Sequence, residues 1–189
     1  MDYLVYNLPE LPPSAARPEL LPPDELAMTA RRGASYPLIR TLLRQELSRR
    51  TEIPAQEITF HYTEHGKPEY SRQCFNLSHS GDCLCLAFHH TPVGVDVERM
   101  RPRSFETLAA RFMCDEQLQG FIQRGCPQDE FYACWCTAEA LVKQKGDTMW
   151  TARSYPFLYR HGRIECLFSP CPMITIFTPM PGYCGVIAY

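Results

Sequence analysis

Gly94-Val95-Asp96-Val97-Glu98 is the stretch on which the reading of this chain turns. Side chains of a strand alternate between its faces, so Asp96 and Glu98 point the same way, a short rise apart. Two carboxylates on one face repel unless they are solvated, hydrogen-bonded or share a cation. For oxygen ligands the natural cation is a hard divalent ion such as magnesium. Some forty residues on, within Trp135 to Lys143, Glu139 and Lys143 stand four apart, which on a helix places them on one face. Three carboxylates and a lysine brought together suggest metal-assisted chemistry on a phosphate.

Around this stretch the chain has ordinary proportions. Its 189 residues are 45% hydrophobic and 21% charged, with a formal net charge of −2. That suffices for one domain or two small lobes with a real core. The arginines are local and the balance is slightly acidic, which fits nucleic-acid binding poorly. No run reaches the length of a membrane span, and the acidic opening Met1-Asp2-Tyr3 lacks a signal-peptide pattern, so a cytoplasmic location is expected. The ten cysteines sit singly or as Cys-x-Cys, mostly in apolar runs and without zinc-site spacing. They read as small buried hydrophobes.

Upstream of the acidic strand, Tyr3 to Leu8 reads as a strand and is followed by a proline-rich, extended connection to residue 24. Pro37 suits the first turn of a helix, in which Leu38, Ile39, Leu42, Leu43 and Leu47 follow at helical spacing. Arg40 and Arg44 share another face of it. Taken alone they make a solvated basic face; the sharper reading is an anion site. Ile58 to Tyr62 alternates like a strand, and Lys67 lies in the turn Glu64 to Pro68. Cys74 to Leu77 reads as a short strand leading into a turn, Ser78-His79-Ser80-Gly81, whose hydroxyls and imidazole suit an anion, and Cys83 to Phe88 as a buried strand. A serine hydrolase is disfavoured, since no G-x-S-x-G elbow is present.

Downstream, Arg99, Arg101 and Arg103 follow the acidic strand, and Ser104 caps a helix to about Phe112. A further helix spans Asp115 to Gln123. Gln128 to Lys145 forms a long amphipathic helix stopped at Gly146. Read alone, Glu139–Lys143 is an exposed i,i+4 ion pair worth roughly a few tenths of a kcal/mol. Beyond Ser154 the chain turns to β character. Arg160-His161-Gly162-Arg163 is read as a hairpin turn, and Met173 to Phe177 and Tyr183 to Tyr189 as the rest of a carboxyl-terminal meander.

Order and spacing together carry a resemblance. Gly66-Lys67-Pro68, Phe75-Asn76-Leu77-Ser78-His79-Ser80-Gly81, Gly94-Val95-Asp96-Val97-Glu98 and Trp135-x-x-x-Glu139-Ala140-x-x-Lys143 resemble 4′-phosphopantetheinyl transferases of the surfactin-synthetase (Sfp) type, especially short Gram-negative members acting on acyl carrier proteins. The likeness spans roughly Arg31 to Gly146. It implies an α+β fold of two similar lobes related by a pseudo-twofold, 1–91 and 92–189, divided near Thr91-Pro92, with coenzyme A between them. It implies transfer of phosphopantetheine from coenzyme A to a carrier serine, with release of adenosine 3′,5′-bisphosphate. Asp96, Glu98 and Glu139 would hold magnesium. Arg31, Arg40, Lys67, Ser78 and His79 would contact coenzyme phosphates, the 3′-phosphate above all. Lys143 would sit by the pyrophosphate and Glu139 would take the serine proton. The carrier would dock by the helical region from Ser104 to Ile122, and a monomer would suffice. One position departs from the family pattern Trp-x-x-Lys-Glu, for Ala138 stands where that lysine would be. Two alternatives remain beside the transferase: a degenerate, non-catalytic coenzyme A or carrier-protein binder, and a magnesium-dependent pyrophosphohydrolase.

Overall fold

In the computed structural model, which describes residues 1–189, helix and sheet are mixed and the elements fall into two runs of the same order. The first run is β1 (Asp2–Asn7), the short helices α1 (Pro23–Ala27) and α2 (Thr29–Arg32), the long α3 (Tyr36–Thr51), a small hairpin β2 (His61–Tyr62) and β3 (Pro68–Glu69), then β4 (Cys74–Ser80) and β5 (Cys83–His89). The second is β6 (Gly94–Arg99), α4 (Phe105–Ala109), α5 (Asp115–Gln123), the long α6 (Gln128–Lys145), a small hairpin β7 (Phe157–Arg160) and β8 (Arg163–Cys166), then β9 (Ile174–Phe177) and β10 (Tyr183–Ala188). The sheets repeat as well, in the orders β1-β5-β4 and β6-β10-β9. In each, the opening strand pairs antiparallel with the last strand of the closing hairpin.

Burial follows from these patterns. On α3, Ile39, Leu42, Leu43 and Leu47 pack against Leu84, Leu86 and Phe88, one face of β5. The opposite face of β5, Cys83, Cys85 and Ala87, meets Val95 and Val97 of β6 and Ile187 of β10. With both faces covered, β5 is apolar throughout, and its cysteines act as small hydrophobes. Burial pushes the Cys83 thiol up to about 11. All ten cysteines are free, and only Cys171 is exposed. The third cluster joins α6, through Phe131, Leu141 and Val142, to Val186 and Ala188 of β10. Gly146, at φ 77°, ends α6 in the left-handed conformation where the sequence stops the helix.

Four expectations are corrected. The proline-rich segment is not extended but makes three single helical turns, Leu8–Glu10, Pro13–Ala15 and Pro18–Leu20, each with proline in its first turn. The strand expected over Ile58 to Tyr62 shrinks to His61–Tyr62 because Arg44 Nη1 donates to the carbonyls of Ala55 and Ile58, both at 2.8 Å, replacing ladder bonds. The helix after Ser104 ends at Ala109 rather than Phe112. The carboxyl-terminal strands are not one meander: β7–β8 stand apart, while β10 lies between β6 and β9. No helix is long and apolar enough to cross a membrane.

Candidate active site

The two sheets meet along β4 and β6, both edge strands, and their seam is closed by side chains instead of a backbone ladder. Asn76 Oδ1 accepts the Val95 N–H at 2.9 Å, Ser78 Oγ the Val97 N–H at 3.2 Å, and Ser80 Oγ the Arg99 N–H at 3.2 Å. Alternation puts Asn76, Ser78 and Ser80 on one face of β4, where the first two satisfy buried donors that would otherwise cost about 1–3 kcal/mol each and Ser80 meets an exposed one. The serines also donate. Ser78 Oγ reaches Asp96 Oδ1 at 2.8 Å, and Ser80 Oγ reaches Glu98 Oε2 at 2.7 Å. The paired carboxylates of the opening motif are thus held from across the seam. Ser78-His79-Ser80, read as a turn from sequence, is strand, and only Gly81-Asp82 turns.

Helix α6 lies directly on β6. A Cβ on Gly94 would fall 1.9 Å from the Ala140 carbonyl oxygen and 2.5 Å from the Gln144 nitrogen, so glycine alone permits this approach. The contact brings Lys143 Nζ to 2.7 Å from Asp96 Oδ1 and 3.4 Å from Ser78 Oγ. Lys143 therefore pairs with Asp96 on the strand, not with Glu139 one helical turn back as helix spacing alone suggests. Burial opposes the ammonium's charge, yet Asp96 and Glu139 outweigh it and raise its pKa. The Glu139 carboxyl is also raised, chiefly by burial; Lys143 pulls it down, and the charges of Asp96 and Glu98 push it up again.

Asp96, only 3% exposed, keeps one oxygen, Oδ2, buried without a partner. No three acidic, imidazole or thiol groups stand together as a ready metal cage. The donors nevertheless suit a hard divalent ion, with an orphaned carboxylate oxygen and a glutamate raised in part by like charges that a cation would relieve.

Beside this cluster opens a cavity of about 840 Å³, reached by α1–α3, the β2–β3 hairpin, β4 and the end of α6. Its size suits a cofactor-sized ligand. Glu139, Lys143, Lys67, His79 and Arg40 line it, and so does Arg32. Arg31 does not, since adjacent helix residues project about 100° apart. Ser78 also stays out of the lining, turned into the seam. His79, one residue on, is exposed and faces the cavity.

Lys67 is partly buried, and its Nζ donates to the Lys143 carbonyl at 2.6 Å, tying the first run of elements to the last turn of α6. A cation at a helix carboxyl terminus is favoured by the dipole, while burial lowers this lysine's pKa. Arg40 is 4% exposed. Its Nη2 and Nε donate to Glu25 at 2.5 and 3.2 Å, and Arg44 grips the same carboxylate at 3.0 and 3.1 Å. Phe60 stacks beneath both guanidiniums. Burial works against the Glu25 charge, yet the two arginines hold its carboxyl below the usual range.

Sequence reasoning missed the seam as a whole and two residues, Arg32 and Glu25. The period-two run Asn76, Ser78, Ser80, in phase with Val95, Val97 and Arg99, could have disclosed the seam. Arg32 was one residue from a residue already singled out. Glu25 gave no signal beyond that of an acid in a helix's first turn.

A cofactor-sized cavity edged by cations, with a carboxylate–lysine cluster at one end, suits a phosphate-bearing ligand. The family model described as the 4′-phosphopantetheinyl transferase superfamily matches residues 92–160, which contain the acidic strand and α6. The chain is 33% identical over 157 residues to 4′-phosphopantetheinyl transferase Sfp of Bacillus subtilis, covering 75% of this chain and 67% of that one. It is 37% identical over 140 residues to 4′-phosphopantetheinyl transferase AcpT of Salmonella typhimurium (68% of each), and 35% identical over 153 residues to AcpT of Escherichia coli (75% and 76%). The chain belongs to the 4′-phosphopantetheinyl transferase superfamily.

Proposed function

We propose that this enzyme transfers 4′-phosphopantetheine from coenzyme A to a serine of an apo acyl carrier protein, with magnesium, and releases adenosine 3′,5′-bisphosphate. The observation that carries the proposal is the cluster of Asp96, Lys143 and Glu139 at the end of the cavity, with an unpartnered Asp96 oxygen and a Glu139 carboxyl raised in pKa.

Coenzyme A occupies the cavity, with Lys67, His79 and Lys143 toward its phosphates, Ser78 bracing the seam behind them, and Arg32 in the place expected of its neighbour Arg31. Asp96, Glu98 and Glu139 would hold magnesium, which would supply charge neutralisation on the pyrophosphate. The Lys143 ammonium faces the same oxygens and steadies the charge of the leaving bisphosphate. The carrier serine oxygen attacks the phosphorus that carries pantetheine, and the bond from that phosphorus to the bridging oxygen breaks. Glu139, directly or through a water, takes the serine proton. Holding the metal through one oxygen at most would leave its other oxygen free for that proton. Residues 1–91 and 92–189 form two lobes about a pseudo-twofold, a reading supported by their repeated element order and by Tyr3 of β1 packing on Phe177 of β9, the counterpart of the β4–β6 contact.

Chromatography of the nucleotide products separates this reading from its rivals. Adenosine 3′,5′-bisphosphate should form only when coenzyme A, magnesium and an apo carrier are all present. Its formation without carrier identifies a pyrophosphohydrolase. Coenzyme binding with no product under any condition identifies a non-catalytic binder.

A further inference from the structure

A nucleotide 3′-phosphate carries up to two negative charges and is normally read by a guanidinium fork or by several converging cations. The cavity holds four permanent cations, Arg32, Arg40, Lys67 and Lys143, and each can be followed to its partner. Arg40 gives the Nε–Nη2 edge of its guanidinium to Glu25, turns the same Nη2 toward the Tyr62 hydroxyl, and is 4% exposed, so its bidentate side edge is occupied. Lys143 is paired with Asp96, and Lys67 with a backbone carbonyl. Arg32 alone makes no side-chain bond, and it is exposed. Four carboxylates, Asp24, Glu25, Glu139 and Asp147, line the same cavity and cancel its positive charge.

Glu25 is no loose surface acid. It is 3% exposed, gripped by two arginines over one aromatic ring, and one of those, Arg44, is itself 1% exposed and anchored to two carbonyls. A ligand phosphate that displaced Glu25 from Arg40 would leave the carboxylate beside an incoming dianion in a buried setting, a repulsive arrangement. Resting on the coenzyme reading above, we infer that Glu25 withdraws Arg40 from 3′-phosphate recognition, so that the enzyme accepts 3′-dephospho-coenzyme A nearly as well as coenzyme A. The cavity groups left for the 3′-phosphate are exposed, namely Arg32 and the imidazoles of His65 and His79, whose contacts are screened by solvent. The pyrophosphate is unaffected, because Lys143 and the acidic cluster address that part of the ligand.

The test is to titrate the folded protein calorimetrically with coenzyme A and with 3′-dephospho-coenzyme A, with magnesium, and to compare kcat/KM for transfer to one apo carrier protein. Both ratios should lie within about ten-fold. A preference for coenzyme A of about a hundred-fold or more overturns the inference and leaves the transferase reading intact. Failure of both compounds to bind overturns the coenzyme reading itself. Glu25→Gln should raise the preference for coenzyme A about ten-fold or more by freeing Arg40, and an unchanged ratio contradicts the clamp. Should that variant not fold, Arg40→Gln keeps Glu25 paired with Arg44. It should leave the ratio unchanged, whereas a selective loss of coenzyme A binding shows that Arg40 reads the 3′-phosphate after all.

Discussion

Replacing Gly94 by alanine puts a methyl group where β6 and α6 touch. The new carbon falls 1.9 Å from the Ala140 carbonyl oxygen and 2.5 Å from the Gln144 nitrogen, against 3.4–4 Å for ordinary contact. Both neighbours are helical backbone, so no rotamer change relieves the clash, and the helix must lift by about 1.5 Å. Overpacking of this kind costs about 1–3 kcal/mol, and a backbone clash belongs at the upper end. For a chain of this size about 3 kcal/mol lowers Tm by roughly 6–12 °C. The same displacement stretches the 2.7 Å Lys143–Asp96 contact beyond hydrogen-bonding range. Transfer should then fall about ten-fold or more even at temperatures where the variant is folded. Thermal unfolding followed by circular dichroism, with rates taken well below the transition, reads both effects. A Tm within about 2 °C of wild type together with an unchanged rate would refute the claim that this contact sets the site.

Four further substitutions have definite outcomes. Glu139→Gln should cut transfer by about 10²–10⁴-fold, the range ascribed to a general base, while coenzyme binding largely survives. Because the folded-state pKa of Glu139 is raised, its protonated form is favoured by folding, and that advantage is lost as pH climbs through the raised value. Glu139→Gln should therefore be as stable as wild type or more so at neutral pH, with the difference vanishing below the ordinary carboxylate range; a variant less stable at neutral pH would contradict the raised value. Ser78→Ala strips the buried Val97 N–H of its acceptor and should cost about 1–3 kcal/mol in denaturant unfolding, against about 1 kcal/mol or less for Ser80→Ala at the exposed Arg99 end. Equal losses would argue against a seam that matters more as it becomes more buried. Ala138→Lys places an ammonium at a position 1% exposed within the α6 core, so Tm should fall by several degrees with no gain in transfer rate. A faster, equally stable variant would show that the family lysine has an open path to the phosphates.

Much of the second half was legible because its signals are local. The bounds of α5 and α6 follow from periodicity and from Gly146, and Asp96 with Glu98 follows from strand alternation. Membership of the family came from the order of motifs, each of which is weak alone. What stayed hidden depends on contacts between distant segments. Lys143 chooses Asp96 over Glu139 because Gly94 lets helix and strand touch, which helix spacing cannot foretell. Lys67 looked like an exposed turn lysine until the β2–β3 hairpin carried it to the end of α6. Arg40 and Arg44 were legible as a shared face but not as the jaws of a clamp, since Glu25 arrives from a separate short helix. Ser78 was read as an anion contact because a serine beside histidine and glycine looks like a turn; its partner, the Val97 N–H, is supplied by another sheet.

The intact mass of an apo acyl carrier protein after incubation with this enzyme, coenzyme A and magnesium tests the assignment most directly. The expected result is an increase by one phosphopantetheine group, lost when magnesium is chelated and lost again with Glu139→Gln. An unchanged carrier mass across a panel of apo carriers, with the enzyme folded and coenzyme A bound, would contradict it.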